Sequence, residues 1–315
     1  MEYNKNKLFT NTLFVSLAAI LCCALWGSAT PFIKIGYQLI RPEATVASTI
    51  LFAGVRFFFA GIITVVIYSI TRKKFLFPKV ENLRKVATVG LFQTIIQYFF
   101  FYMGLSLTTG VKGTIISGSN TFFSILIASL IFRQEKLTLK KIIACIFGFA
   151  GIIIVNLNGL DLTVNWGDVF VLFSTIAYAV SSVLMKRYSN DEDPVVISGY
   201  QFIIGGTVMV VAGALMGGRI QIESLQAVGV LTYLSFLSAI AYALWGVLLK
   251  HNPVSRVTVF SFMIPVFGVL LSELLLTEAS GVSYINLLIA LALICIGITV
   301  LNYNKENILK WVRML

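Results

Sequence analysis

Arg56 stands inside an apolar run, "ILFAGVRFFFAGIITVVI" (50–67). If that run crosses a membrane, the charge costs roughly 2.5–3.5 kcal/mol and must face protein or a water-filled cavity. Two roles fit. Arg56 can anchor a solute carboxylate or serve in a gate, or it can be structural, capping carbonyls or snorkelling to the interface. Other apolar runs carry Gln97 and Tyr98 near their middle, with Gln93 and Tyr102 close to helical spacing. An amide in hydrocarbon needs a partner, either a neighbouring helix or a wet cavity. Asn120 within "SGSNT" (117–121), Tyr178, Ser182, Tyr242 and Ser261 complete a set of polar side chains on apolar segments. Their chemistry is hydrogen-bonded recognition of a small solute. Trp26, Pro31, Arg56 and Pro265 are the candidates for gating or structural roles, because a proline in a helix removes one backbone bond and bends the rod. Trp245, near the end of its run, is assigned to an interfacial aromatic belt.

The chemistry that is missing narrows the function. Of thirteen acids, twelve lie in tails, loops or run ends; Glu273 is the one well within an apolar segment. No two carboxylates share a mid-run face, so the acid/base pair of a hydrolase is absent. The one histidine, His251, sits beside Lys250 in a short loop, without partners for a triad or a metal. There is no HExxH, Walker A or GxSxG motif. Cys22, Cys23, Cys145 and Cys295 lie in apolar runs without ligand spacing and read as small apolar filler. The chain is expected not to be an enzyme and to hold no metal and no cofactor.

These residues need elements that can position them in hydrocarbon. The 315 residues are 58% hydrophobic and 12% charged, against about 25% charged residues in an average soluble chain. The apolar residues form ten runs, at 13–34, 48–70, 86–106, 113–132, 141–158, 167–186, 195–217, 226–249, 256–276 and 283–303. Each suits a membrane-spanning helix. The net charge of +11 flanks these runs rather than forming a soluble basic face, which argues against nucleic acid. With the N-terminus inside, nineteen of the 24 Lys and Arg fall on the inner side and four on the outer. The positive-inside bias therefore makes both termini cytoplasmic. The starting segment has no small-residue cleavage site and is not read as a signal peptide.

The runs also repeat. "LWGSATPFIK" (25–34) aligns with "AYAVSSVLMK" (177–186), placing Trp26 on Tyr178, Thr30 on Ser182 and Lys34 on Lys186. "VRFFFAG" (55–61) aligns with "YQFIIGG" (200–206), placing Arg56 on Gln201, and "IFRQEK" (131–136) aligns with "LLLTEA" (274–279), placing Glu135 on Glu278. Two halves of five spans each must have opposite topology, the architecture of secondary transporters with a midplane site. The expected fold is an all-α membrane protein of ten helices in two inverted repeats, 13–158 and 167–303, with short cytoplasmic tails at 1–12 and 304–315. Gly148/Gly151 and Gly213/Gly217 read as close-packing pairs.

A first span with Trp-Gly, then Pro, then Lys, an Arg-Phe in span 2, and Pro265 separated by twelve residues from Glu278 together resemble the drug/metabolite transporter superfamily, in its ten-helix EamA-type branch. The resemblance covers about residues 13–303. One departure is Phe122, where the family usually has a proline in span 4; Asn120–Thr121 are expected to soften that helix instead. The resemblance implies a basket in which spans 1, 3, 4, 6, 8 and 9 line a central cavity and spans 5 and 10 are peripheral. It implies export of small organic metabolites, such as amino acids, across the plasma membrane. The partners are then a small-molecule substrate and membrane lipid, with room for a homodimer. The alternatives are a cation or drug efflux carrier, for which Glu273 is the available acid, and a non-transporting sensor or assembly subunit, which the short tails disfavour. The sharpest local expectation is a kink at the outer end of span 1, around Pro31, with the matching end of span 6 straight.

Overall fold

The computed structural model describes residues 8–43, 45–157, 163–276 and 283–302. The expectations for most of both tails and for Glu278 lie outside these residues. Among the described residues every regular element is helical. In chain order they are α1 (Thr12–Ile40), α2 (Val46–Thr71), α3 (Val80–Leu105), α4 (Gly110–Ile131), α5 (Leu139–Val155), α6 (Trp166–Tyr188), α7 (Pro194–Leu215), α8 (Leu225–His251), α9 (Val254–Leu275) and α10 (Tyr284–Asn302). All but α5 are, among the described residues, long and apolar enough to cross a membrane. At 17 residues, α5 is about 25 Å long, just under a hydrocarbon core of about 30 Å.

The packing interleaves the two halves of the chain. α2 lies along α7, and α5 along α10. α1 packs on α8 and α9, while α6 packs on α3 and α4. Exchanging the halves maps each pairing onto another or onto itself. The α2–α7 seam shows the same exchange in detail. A Cβ on Gly54 would sit 3.0 Å from the Gly206 carbonyl, and one on Gly61 would sit 2.6 Å from that of Gly199. Between those two crossings Phe57 stacks on Phe202, with centroids 5.0 Å apart and planes at 10°. Both rings are fully buried. In the sequence alignment Gly54 falls on Gly199, Phe57 on Phe202 and Gly61 on Gly206, so the halves meet through corresponding residues.

Helix ends follow ordinary capping rules. Asn11, Thr45 and Ser224 cap α1, α2 and α8 through their side chains. Asn165 and Asp168 form a reciprocal capping box on α6. Beyond the end of α7, the Gly218 N–H reaches back to Gly213 O, with Gly217 at φ +83°. That left-handed residue completes a Schellman-type stop. Gly217 is therefore a turn residue and not half of a packing pair, and a Cβ there would meet nothing. Gly148, Gly151 and Gly213 do pack closely, against Phe262, Ile294 and Leu51.

Three helices are irregular in mid-course. α3 contains a π segment, Leu91–Ile96, immediately before Gln97. α4 breaks at Ser119 and ends in a second π segment, Ile127–Ile131. The expected softening of α4 thus falls one residue ahead of Asn120. α9 overwinds into a 3-10 turn over Val259–Met263. Pro265 explains it: without an N–H it leaves Ser261 O unpaired in an α-helix, and the tighter turn lets the Ile264 N–H take that carbonyl instead. Pro31 does not end α1, which continues to Ile40. Gly27 lies against α9, where a Cβ would come 2.4 Å from that of Phe267. The chain there needs a residue without a side chain.

Candidate solute site

α1, α8 and α9 form one group of helices, and α3, α4 and α6 another. The sequence-predicted residues fall on both, and most meet on the seam between them. The Tyr98 hydroxyl on α3 lies 2.8 Å from that of Tyr242 on α8. Tyr98 also lies against Phe57, with centroids 4.4 Å apart and planes tilted by 48°. Tyr242 is flanked edge-on by Trp26 at 5.1 Å and Phe202 at 4.9 Å. Tyr178 belongs to the same buried cluster. The rings thus form a continuous aromatic wall from Trp245 through Trp26, Tyr242, Phe202 and Phe57 to Tyr98 and Tyr102. Trp245 is 1% exposed and sits 4.9 Å from Trp26. It is a core residue, which corrects its assignment to an interfacial belt. A position near a run's end does not place an indole in the interface when a neighbouring helix covers it.

A second crossing joins α4 to α9. Thr121 Oγ1 lies 2.8 Å from Thr258 O and 2.8 Å from Ser261 Oγ. Asn120 Oδ1 is 3.1 Å from Ser261 Oγ. The break at Ser119 and the 3-10 turn of α9 bring these short side chains together. Thr121 is expected from the sequence to soften α4 but is not among the site candidates, although its place beside Asn120 was a signal. Ser182 is buried, with its hydroxyl 3.1 Å from the Tyr178 carbonyl of its own helix.

Several polar atoms at this level are buried without a hydrogen-bond partner: Nε1 of Trp26 and Trp245, Oε1 of Gln97 and Gln93, Nε2 of Gln201 and Nε of Arg56. Buried polar groups in native proteins are nearly always satisfied. A set of them lining one seam is what a site for a polar solute or water presents. Arg56 is 4% exposed, with its guanidinium carbon 4.3 Å from the Phe57 ring centroid. It lies within electrostatic range of the hydroxyls of Tyr37, Tyr98, Tyr102 and Tyr242.

One end of the seam is held by charge. This is the end of the molecule bearing residues 72–79, 132–138 and 189–193, here called the basic end. Glu135, just beyond α4, accepts from the Ser255 N–H at 3.1 Å and from its hydroxyl at 2.7 Å. Its carboxylate thereby caps the N-terminus of α9, where the helix dipole favours a negative charge. Lys141 of α5 stands 3.2 Å from the same carboxylate, with both side chains about one-tenth exposed or less, at 11% and 9%. From the second group to the first, Lys186 of α6 donates to Leu249 O at 3.1 Å and Asn252 O at 2.5 Å, capping the end of α8. Sequence reading had left Glu135 in a loop and Lys186 as a flanking cation. The alignment with Glu278 was the available signal for Glu135, but not for what it caps.

Comparison with known proteins settles the class. The EamA-like transporter family model matches residues 13–157 and again 165–303. The chain belongs to the EamA-like transporter family. It is 25% identical over 264 residues to an uncharacterized transporter of Archaeoglobus fulgidus, covering 82% of this chain and 88% of that protein. It is 25% identical over 289 residues to the uncharacterized transporter YvbV of Bacillus subtilis, covering 86% and 87%. A crystal structure superposes with a TM-score of 0.74 at 18% identity, covering 91% of this chain and 95% of the other. That likeness extends to the fold. The protein is accordingly a multi-pass membrane transporter of the drug/metabolite transporter superfamily, and its family consists of transporters rather than enzymes.

Proposed function

We propose that the protein is a secondary carrier that exports a small amino-acid-like or amphipathic organic solute across the plasma membrane by alternating access. In this reading α5 is the tenth span, and residues 13–158 and 167–303 are inverted repeats. The basic end faces the cytoplasm together with both termini. Gln97, Tyr98, Asn120, Tyr178, Tyr242 and Ser261 lie around the solute, while Ser182 acts through the shape of α6. Trp26, Pro31, Arg56 and Pro265 tune how the groups move.

The observation that carries this is the seam itself. Two helix groups, each drawn from both halves of the chain, share a buried apolar cluster and a few polar contacts between corresponding or facing residues. The Tyr98–Tyr242 and Thr121–Ser261 bonds close the middle, and the Glu135 and Lys186 caps close the basic end. Such contacts can exchange with a solute or open in turn, whereas the glycine-lined α2–α7 seam cannot slide without backbone collisions. Accumulation of radiolabelled amino acids and small organic acids by proteoliposomes tests the reading. The expected result is solute-specific flux above protein-free vesicles, and equal rates across a broad panel overturn it.

A further inference from the structure

Arg56 is buried in the middle of the seam, and among the described residues no ion pair answers its charge. Helices α1, α2, α4, α7 and α8 contain no Asp or Glu; the acid of α3, Glu81, is at its far start, and that of α9, Glu273, lies near the end of its helix away from the basic end. Asp168 of α6 is committed elsewhere, to Lys112 at 3.3 Å and to Thr108. What faces Arg56 instead are phenols, those of Tyr98 and Tyr102 on α3 and Tyr37 on α1. A second guanidinium, Arg41, lies 3.6 Å from the Tyr37 ring centroid and also acts on Tyr102. Nε atoms of both arginines are buried and unpartnered. Leaving a buried cation without a counter-ion is costly, and a protein retains such an arrangement where an anion arrives from outside.

The counterpart position sharpens the point. Arg56 aligns with Gln201, on the other side of the Phe57–Phe202 stack. There Gln201 Oε1 accepts from Thr94 at 2.6 Å, a neutral pair inside the protein. The charge is thus a feature of one side only. The packing of the two halves does not require a cation at this position.

We infer that Arg56, with the hydroxyls of Tyr98 and Tyr102, binds the anionic group of the transported solute, a carboxylate or an oxyanion of similar size. The aromatic wall of Phe57, Phe202, Tyr242 and Trp26 takes the solute's apolar body. Tyr37 belongs to the α1–α8–α9 group and Tyr102 to the α3–α4–α6 group, so parting these groups at the end away from the basic one uncovers the guanidinium. A solute whose sole charge is positive is repelled. This rests on the carrier reading above and names the class of its substrate.

Three probes with one ring and different charges test it: phenylacetate, phenylalanine and phenethylamine. Binding to the purified full-length protein in detergent is read by competition and by thermal shift, and flux is read separately in proteoliposomes. Phenylacetate or phenylalanine, or both, should bind and phenethylamine should not. Phenylacetate alone assigns a bare anion, and both together assign a site that also tolerates an ammonium. Arg56→Gln should weaken carboxylate binding about tenfold to a hundredfold, the scale of a hydrogen bond to a charged group, and Arg56→Lys should recover part of it. Binding of phenethylamine as tight as that of the carboxylates, or no binding of either carboxylate to the wild type, overturns the inference. So does unchanged carboxylate binding in a folded Arg56→Gln protein. Should Arg56→Gln fail to fold, the wild-type panel still decides. Carboxylate binding without flux of any solute leaves the anion site standing and removes the carrier reading; flux of phenethylamine alone does the reverse.

Discussion

At corresponding positions, the two sides of the seam are built differently. Toward the basic end, Lys186 is half-buried and holds two carbonyls, and Ser182 is 1% exposed. Their aligned partners Lys34 and Thr30 are exposed. Gln201 is neutral and accepts from Thr94 through Oε1, whereas Arg56 carries a charge and faces phenols; each keeps one buried nitrogen unpartnered. The alignment equates these residues, so the difference does not come from helix placement. It records which side is more tightly bonded, and that is the basic end. In the carrier reading proposed above, this is the end that is shut.

The largest test removes the latch. Glu135→Ala leaves the Lys141 ammonium buried without its partner and uncaps α9, a change of the kind that costs about 3–5 kcal/mol. The expected result is a marked drop in unfolding temperature in detergent and loss of most flux. It should also expose position 182: in a background with the native cysteines replaced by alanine, a Ser182→Cys thiol unreactive in the parent protein becomes reactive with Glu135→Ala. If that thiol is equally unreactive in both, the contacts of Glu135 do not keep this end shut.

A smaller effect distinguishes the two lysines. Lys186→Met forfeits two bonds to the end of α8 and should cost about 1–2 kcal/mol. Lys34→Met, on an exposed side chain, should cost less than half of that. Equal costs, measured by denaturation of the two variants side by side, would erase the asymmetry. Smaller again is the midpoint of the seam, where Tyr98→Phe or Tyr242→Phe should each cost about 1 kcal/mol, since each leaves one hydroxyl unpaired. The double variant should cost clearly less than the sum, because the two share one bond. Additive costs would mean that the 2.8 Å contact contributes nothing.

Much of this was legible in the residues. Apolar runs and flanking Lys and Arg carry the membrane fold, because hydrocarbon tolerates little else. Tyr98 and Tyr242 were each legible as polar aromatics in mates of a repeat, but the bond between their hydroxyls was not. Other features were hidden for identifiable reasons. Trp245 reads as interfacial by position along its own helix, and its burial depends on α1, far away in sequence. Glu135 looks like one more loop charge until α9's N-terminus is placed beside it. The π segment of α3 begins directly after Gly90 and packs against α6 and α7, and no residue within Leu91–Ile96 announces it. Pro31 was legible as a helix interruption but not as one that α1 runs through.

The smallest expected effect concerns a second ion pair at the same basic end. Lys85 Nζ is 2.7 Å from Asp191 Oδ2, closer than Lys141 is to Glu135, yet the side chains are 34% and 51% exposed. The hydrogen bond from Lys85, and then its charge, hold the Asp191 carboxyl below the ordinary carboxylate range. A lowered carboxylate pKa stabilises the folded state above the unfolded value of about 3.9 and loses that contribution as pH falls through the lowered one. Between about pH 5 and 8 the pair is therefore constant, and water and salt screen what it contributes. Asp191→Asn should leave the unfolding temperature unchanged within error across that range, at low and high salt alike. Distance alone would rank this pair above the one at Glu135, while burial ranks it far below. A loss from Asp191→Asn matching that from Glu135→Ala would show that the basic end is held by its loops and not by the caps on α8 and α9.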